Sequence, residues 1–169
     1  ATADVIITGN AAGDQFGIFL TVGDLNADGR NDLAVGANTY SSSTGRVYIF
    51  YNDGSIPTTA ATADVTITGE ASSRFGYSLV SGDLDNDGRQ DLIVGADLYS
   101  SSTGRAYIFY NDGSIPTTAA TADVIVTGES TSNRFGSNLT TGDLNTDGKV
   151  DLVVGGFGYN PGSAADTGR

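Results

Sequence analysis

The chain of 169 residues contains no cysteine, histidine, methionine or tryptophan, and only three prolines. Without cysteine it forms neither disulfides nor thiolate metal sites, and without histidine it lacks the usual general base and the usual ligand of zinc and iron. No apolar run approaches the length of a transmembrane helix, and no signal peptide is visible, so such a peptide was removed or the sequence starts after it. Glycine is abundant, with 24 residues. This composition favours an extracellular β protein over a cytosolic enzyme.

Acidic residues dominate the charge, which is −12 at pH 7 with a pI of about 4.1. Such a surface repels nucleic acid and anionic membranes and attracts divalent cations. The alternative reading is that the acidity serves solubility alone. Ten of the 20 acidic residues, however, lie in three short loops that together hold 27 residues. This concentration indicates a local role for the charge.

The three loops are copies of one nine-residue acidic motif, and they begin at Asp24, Asp83 and Asp143. Oxygen-bearing side chains occupy positions 1, 3, 5 and 9, and glycine occupies position 6, where it lets the chain fold around an ion. Position 7 can add a backbone carbonyl, which completes a set that suits a hard cation with six or more oxygen ligands. The motif predicts about three Ca²⁺ ions, one per repeat. The predicted ligands are Asp24, Asn26, Asp28, Arg30 and Asp32; Asp83, Asp85, Asp87, Arg89 and Asp91; and Asp143, Asn145, Asp147, Lys149 and Asp151.

Other readings of the loops fit less well. An EF-hand needs a bidentate glutamate at position 12, where this chain has Val35, Val94 and Val154. Magnesium prefers few protein ligands and retained water. A merely polar hairpin turn needs one or two of these residues, not oxygens at four fixed positions in three copies. Paired aspartates also serve glycosidases as acid and base, but here the metal uses them.

A repeat of about 60 residues organises the chain, since the three loops start 59 and then 60 residues apart. Residues 40–65 match residues 99–124 at every position except Val47, which aligns with Ala106. Identity this close indicates that a whole unit was copied.

Each unit is predicted to contain four short strands, because aromatic and β-branched residues alternate between turn signals. The connection over 56–63 is expected to be extended, and no amphipathic helix is evident. The apolar second strands indicate burial on both faces, and Tyr48, Phe50, Tyr107 and Phe109 are predicted core residues. The predicted strands are 16–22, 75–80 and 135–140 (first), 32–35, 91–94 and 151–154 (second), 46–51 and 105–110 (third), and 4–8, 64–68 and 123–127 (fourth).

Four strands with a buried inner strand in each unit favour an all-β fold of antiparallel β-propeller blades. A β-solenoid is the second choice, but its rungs are usually much shorter. The predicted layout is a single array over 1–169: an outer strand of a preceding or closing blade at 1–15, blade 1 at 16–69, blade 2 at 75–128 and a partial blade 3 at 135–169. Three units do not close a ring. We therefore expect an incomplete propeller, either part of a longer chain or part of an assembly of several chains.

The units resemble the FG-GAP repeats known from the propeller of integrin α subunits. The resemblance covers essentially the whole chain and implies a β-propeller, calcium held between the first two strands of each blade, and often ligand binding or adhesion. The Phe-Gly element stands at Phe16-Gly17, Phe75-Gly76 and Phe135-Gly136. The Gly-Ala-Pro element lacks its proline and reads Gly36-Ala37-Asn38, Gly95-Ala96-Asp97 and Gly155-Gly156-Phe157.

Two functions fit these observations. The first is a calcium-binding extracellular or cell-surface module that binds a protein or glycan ligand. The second is a structural subunit of a filament or surface layer, in which copies of the chain exchange strands by β-augmentation. In both readings the segment is not an enzyme, binds no nucleic acid and does not insert into a membrane, although a longer parent chain could carry an enzyme.

Overall fold

Three antiparallel β-sheets make up the fold in a computed structural model, which describes residues 3–159. Within each sheet the strands lie in chain order as a meander. The prediction of four-stranded antiparallel propeller blades is confirmed for the first two sheets, and the third shows two strands among the described residues. The first sheet contains β1 (Phe16–Gly23), β2 (Asp32–Ala37), β3 (Arg46–Phe50) and β4 (Val65–Thr68); the second contains β5 (Ser78–Gly82), β6 (Asp91–Ala96), β7 (Arg105–Phe109) and β8 (Val124–Thr127); the third contains β9 (Phe135–Gly142) and β10 (Asp151–Gly156).

The second strands form the buried centre of each complete sheet. Every residue of β6 is buried, and in β2 only Leu33 is partly exposed. This confirms the burial on both faces that their apolar sequences predict. The aromatic residues of the third strands are also buried as predicted, because Tyr48 and Phe50 in β3 and their equivalents in β7 are at most 2% exposed.

Neighbouring sheets pack through their first strands. The Phe19 ring of β1 lies 5.4 Å from the Tyr77 ring, and the hydroxyl oxygens of Thr21 and Ser81 are 3.3 Å apart. The Ser78 hydroxyl of β5 in turn donates a 2.7 Å hydrogen bond to the Gly136 carbonyl of β9. The three units are therefore stacked in order, with β5 between β1 and β9.

Two strand predictions need correction. The predicted strand 75–80 begins later, at Ser78, because Phe75 instead forms an isolated parallel bridge to Gly45 of the preceding unit. The predicted strand 4–8 is reduced to one parallel bridge, Thr8 with Thr59, because no adjacent antiparallel strand lies beside it among the described residues. Residues 1–2 and 160–169, into which the predicted outer strand and the partial third blade extend, lie outside the described residues.

The connections contain short helical turns that the sequence analysis did not predict. Tight turns, α1 (Tyr40–Ser43) and α2 (Tyr99–Ser102), occupy the serine-rich loops, and their serines have left-handed φ values between +46° and +65° instead of α-helical ones. The connection expected to be extended contains a 3-10 turn at Ala60–Thr62, and the Thr59 side chain accepts a hydrogen bond from the Ala61 N–H there. At Thr59, a local side-chain hydrogen bond thus competes with extended backbone.

Candidate metal centre

Each acidic loop joins the first and second strands of its sheet and is therefore a hairpin connection. The glycines at position 6 have φ values of +85°, +89° and +85° in Gly29, Gly88 and Gly148. This left-handed conformation is accessible to glycine at little cost, which explains its place in the motif. Position 4 is also left-handed in all three loops, with φ between +61° and +63°. Sequence reasoning missed that position because its residue type varies: Ala27, Asn86 and Thr146.

Backbone N–H groups orient the acidic side chains inside each loop. In the second loop, Asp83 accepts hydrogen bonds from the N–H groups of Asp87 and Gly88, at 3.0 and 2.9 Å. The Asp85 side chain accepts from Asp87 N–H at 3.2 Å, and the Asp87 side chain accepts from Arg89 N–H at 2.8 Å. The first and third loops repeat the same bonds. The loop is thus folded around its carboxylates by its own backbone.

The ninth-position aspartate ties the loop to the sheet. Asp91 is fully buried and accepts hydrogen bonds from Leu84 N–H at 2.8 Å and from Asn111 N–H at 3.0 Å. Asp32 makes the equivalent bonds to Leu25 at 2.9 Å and Asn52 at 2.8 Å. In the third loop, Asp151 accepts from Leu144 N–H at 2.9 Å. The asparagine backbone partners were not predicted, although the Asn-Asp-Gly turn after β3 and β7 was a visible signal.

Three carboxylates converge in the second loop. Oxygens of Asp83, Asp85 and Asp91 all lie within 4.8 Å of one another. Within residues 3–159 this is the one group of three acidic side chains placed so closely. Asp87 lies outside the group, and one of its oxygens is 3.8 Å from the Arg89 side-chain nitrogen Nε. The first and third loops have asparagine at position 3, which is why they cannot form the same trio at positions 1, 3 and 9.

The electrostatics of the ninth position reflect this crowding. Burial raises the pKa of Asp91, hydrogen bonds from Asn111 and Leu84 lower it, and the nearby charges of Asp85 and Asp83 raise it. The pKa of Asp32 is likewise raised, mainly by burial. The ionised form at each site is therefore disfavoured by its surroundings, and a bound cation would favour it. The donor atoms are all oxygen, which is the chemistry that calcium prefers.

Comparison with known proteins places these loops in a family. The model of the FG-GAP-like repeat matches residues 24–94. Human integrin alpha-7 is 35% identical over 160 residues, which is 90% of this chain and 13% of the integrin. Drosophila melanogaster integrin alpha-PS2 is 33% identical over 82% of this chain and 10% of its own length. Bovine phosphatidylinositol-glycan-specific phospholipase D is 33% identical over 83% of this chain and 18% of its own length.

The chain belongs to the FG-GAP repeat family. Its FG-GAP units span less than a fifth of the length of these relatives, which include integrin alpha chains and, by name, an enzyme. No helix within the described part of the chain is both long and apolar enough to cross a membrane.

The Phe-Gly element of the second FG-GAP unit packs its ring within its own unit and meets the preceding unit through its backbone. Phe75 is fully buried, and its ring packs edge-on to Tyr107 and Phe109 at centroid distances of 5.3 and 6.3 Å. A Cβ atom on Gly36 would collide with the Gly76 carbonyl oxygen. Glycine is therefore required in the Gly-Ala element, since it lets two backbones of adjacent units meet.

The third residue of the weakened Gly-Ala-Pro element has a structural role in the second FG-GAP unit. Asp97 is fully buried and pairs with Arg74 at 3.4 Å and with Arg134 of the next unit at 3.0 Å. Burial nevertheless raises the pKa of Asp97, while the two arginines lower it. Sequence reasoning missed this cluster because it joins residues from two repeats.

Proposed function

We propose that each acidic loop binds one Ca²⁺ ion and that the chain is a calcium-stabilised module of an extracellular repeat propeller. The observation that carries this proposal is the convergence of Asp83, Asp85 and Asp91 in a loop whose hydrogen-bond pattern recurs twice. Isolated carboxylates at this separation repel one another, at a cost of roughly 1 to 4 kcal/mol per pair at 4 Å for effective dielectric constants between 80 and 20. A divalent cation would convert that repulsion into attraction.

The ligands of the proposed sites are the side-chain oxygens at positions 1, 3, 5 and 9 and the backbone carbonyl at position 7. In the second loop these residues are Asp83, Asp85, Asp87, Asp91 and, through its carbonyl, Arg89. When bound, the ion supplies charge neutralisation and crosslinks two strands of one sheet. The ninth aspartate already links the loop to the turn that follows the third strand, so binding would brace three strands together.

Isothermal titration with calcium tests the sites one at a time. Asp83→Asn should remove one ion from the wild-type count of three, because the neutral amide attracts calcium far less than a carboxylate does. Asp112→Asn is the matched control, since this exposed aspartate in the neighbouring Asn-Asp-Gly turn carries the same charge and lies outside the loop. Equal ion counts for both variants and the wild type would contradict the proposal.

The proposed role of the module is non-catalytic binding of a protein or glycan ligand at the cell surface or outside the cell. Membership of a family that includes integrin alpha chains supports this assignment. On rigid β scaffolds, binding residues usually lie in the loops that connect the strands. Glycan-array screening and affinity capture from extracellular fractions should give a ligand in calcium that is lost in EGTA, and the absence of any ligand in calcium would contradict the role.

A second candidate function is self-assembly into a filament or surface layer. One side of β1 presents Ile18, Leu20 and Val22, which are 47%, 59% and 56% exposed, while its other side packs against the second unit. An apolar strip of this kind favours a packed neighbour, and a second copy of the chain would provide one.

Light scattering at increasing protein concentration tests this second candidate. If copies associate through the strip, Leu20→Lys should abolish the association. Leu144→Lys is the matched control, because Leu144 is also a well-exposed leucine, at 69%, and lies in the third acidic loop away from the strip. A monomer at all concentrations would exclude assembly.

A further inference from the structure

The side chain of Asn111 connects the second acidic loop to the first. Asn111 lies in the Asn-Asp-Gly turn after β7 and is only 3% exposed. Its backbone N–H donates to the ninth-position carboxylate of Asp91 at 3.0 Å, and its side-chain amide donates to the backbone carbonyl of Asp24 at 3.2 Å. Asp24 is the first residue of the first acidic loop, and Asp91 is the last residue of the second. One buried residue therefore contacts both loops.

Two further contacts hold the start of the first acidic loop against the second unit. The Ser81 hydroxyl at the end of β5 donates a 2.8 Å hydrogen bond to the Val22 carbonyl. A Cβ atom on Gly23 would lie 2.9 Å from the Ser81 hydroxyl oxygen and 3.2 Å from the side-chain oxygen of Gln90, the eighth residue of the second loop. The backbone that leads into the first loop is thus packed against residues beside both ends of the second loop.

The second residue of the first loop is buried in the core between the two units. Leu25 is 1% exposed and belongs to the same hydrophobic cluster as Leu79, Leu92 and Phe109 of the second unit. Its backbone N–H donates to the ninth-position carboxylate of Asp32 at 2.9 Å. The conformation of the first loop is therefore fixed partly by packing against the second unit and not by its own strands alone.

Contacts of this kind make the order of one loop depend on the order of the other. With the second loop occupied, Asp91 would be held in place, and with it the Asn111 side chain that supports the Asp24 carbonyl. Binding that rigidifies a site costs conformational entropy, and this cost is smaller when the site is already ordered. Such coupling is reciprocal, so each loop must favour ion binding in the other by the same factor.

We propose that the first and second acidic loops bind calcium cooperatively and that Asn111 couples them. This inference rests on the proposed function, and it adds that occupation of one loop raises the calcium affinity of the other. Couplings between sites typically change affinity by about 5- to 150-fold. The consequence is a module whose first two units become rigid together over a narrow range of calcium concentration.

Calcium titration of the full 169-residue chain, followed by NMR of the backbone amides, tests the coupling loop by loop. The Gly29 and Gly88 amides report separately, because each donates to the first aspartate of its own loop, at 2.8 and 2.9 Å. Asp83→Asn inactivates the second loop and should raise the calcium midpoint seen at Gly29 about fivefold or more. Asp112→Asn removes the same charge outside the loops and should leave that midpoint unchanged.

Asn111→Ala tests the link itself, since it removes the side-chain amide and keeps the backbone N–H that bonds to Asp91. In this background, Asp83→Asn should shift the Gly29 midpoint by less than about twofold, as expected for independent sites, whereas a purely electrostatic effect would persist. Asn52→Ala is the matched control and should keep the full shift. Within residues 3–159, the Asn52 side chain forms no equivalent bond to another acidic loop.

The outcomes separate this inference from the calcium sites themselves. A Gly29 midpoint that Asp83→Asn does not move, or a shift of full size in Asn111→Ala, would overturn the proposal and leave the calcium sites standing. Loop glycine amides that do not respond to calcium would overturn both. Circular dichroism confirms that each variant is folded, and the comparison of Asp83→Asn with Asp112→Asn stays decisive if Asn111→Ala is not folded.

Discussion

Replacing Asp91 by asparagine separates the two roles of the ninth loop position, which are anchoring the loop and binding the cation. The buried carboxylate accepts two backbone hydrogen bonds, from Leu84 and Asn111, and lies within 4.8 Å of the carboxylates of Asp83 and Asp85. Asparagine has nearly the same shape, but it removes the charge and replaces one accepting oxygen by an amide group that cannot accept.

Without calcium, the two effects of Asp91→Asn oppose each other. Losing one charge-assisted hydrogen bond costs about 1.5 to 3 kcal/mol. Removing the repulsion between Asp91 and its carboxylate neighbours stabilises the fold by roughly 1 to 4 kcal/mol per close pair. We therefore expect the free energy of unfolding in EGTA to change little.

With calcium, the wild type gains stability that the variant does not. A ligand at 100 times its Kd stabilises the folded state by about 2.7 kcal/mol per site. For a domain of 150 to 250 residues, each kcal/mol corresponds to about 2 to 4 °C in Tm. Loss of one site should therefore reduce the calcium-dependent rise in Tm by about 5 to 11 °C.

Thermal unfolding followed by circular dichroism, in EGTA and in saturating calcium, measures this difference. Asp112→Asn serves again as the control, because it removes one negative charge outside the loop. If calcium raises the Tm of Asp91→Asn as much as that of the control, the buried aspartate is not part of a calcium site.

Three further predictions concern stability. Burial raises the pKa of Asp97 above 3.8, so the stability contributed by this group is complete below about pH 3.8 and declines as the pH rises through the folded-state pKa. Urea unfolding across that range should show a smaller decline in Asp97→Asn than in the wild type, since the raised pKa values of Asp32 and Asp91 act in both proteins. Ala27→Asn should raise the free energy of unfolding in urea by about 0.5 to 1 kcal/mol, because asparagine tolerates the left-handed conformation at φ +61° better than alanine. Phe75→Ala should cost about 3 to 5 kcal/mol in the same assay, and Phe135→Ala less, because Phe135 borders a cavity; equal costs would contradict this packing account.

Local patterns were sufficient to predict most strands of the fold. Alternating aromatic residues place Tyr48 and Phe50 in the core of β3, and apolar runs identify β2 and β6 as inner strands. The start of β5 could not be predicted in the same way, since Phe75 pairs with Gly45 of another unit. Its conformation therefore depends on packing between units that a local pattern does not contain.

The candidate site shows the same division between local and long-range information. Spacing alone indicated the acidic positions of each loop, and the structure brings Asp83, Asp85 and Asp91 together. The anchoring of Asp91 by the Asn111 backbone was not predictable from the sequence. That bond joins residues 20 positions apart, one at the start of β6 and one in the turn after β7.

Anomalous scattering from a crystal grown in calcium tests the central claim most directly. We predict a peak in each acidic loop, with that of the second loop between Asp83, Asp85 and Asp91 and with oxygen ligands at about 2.3 to 2.6 Å. Loops without any anomalous peak at saturating calcium would contradict the account.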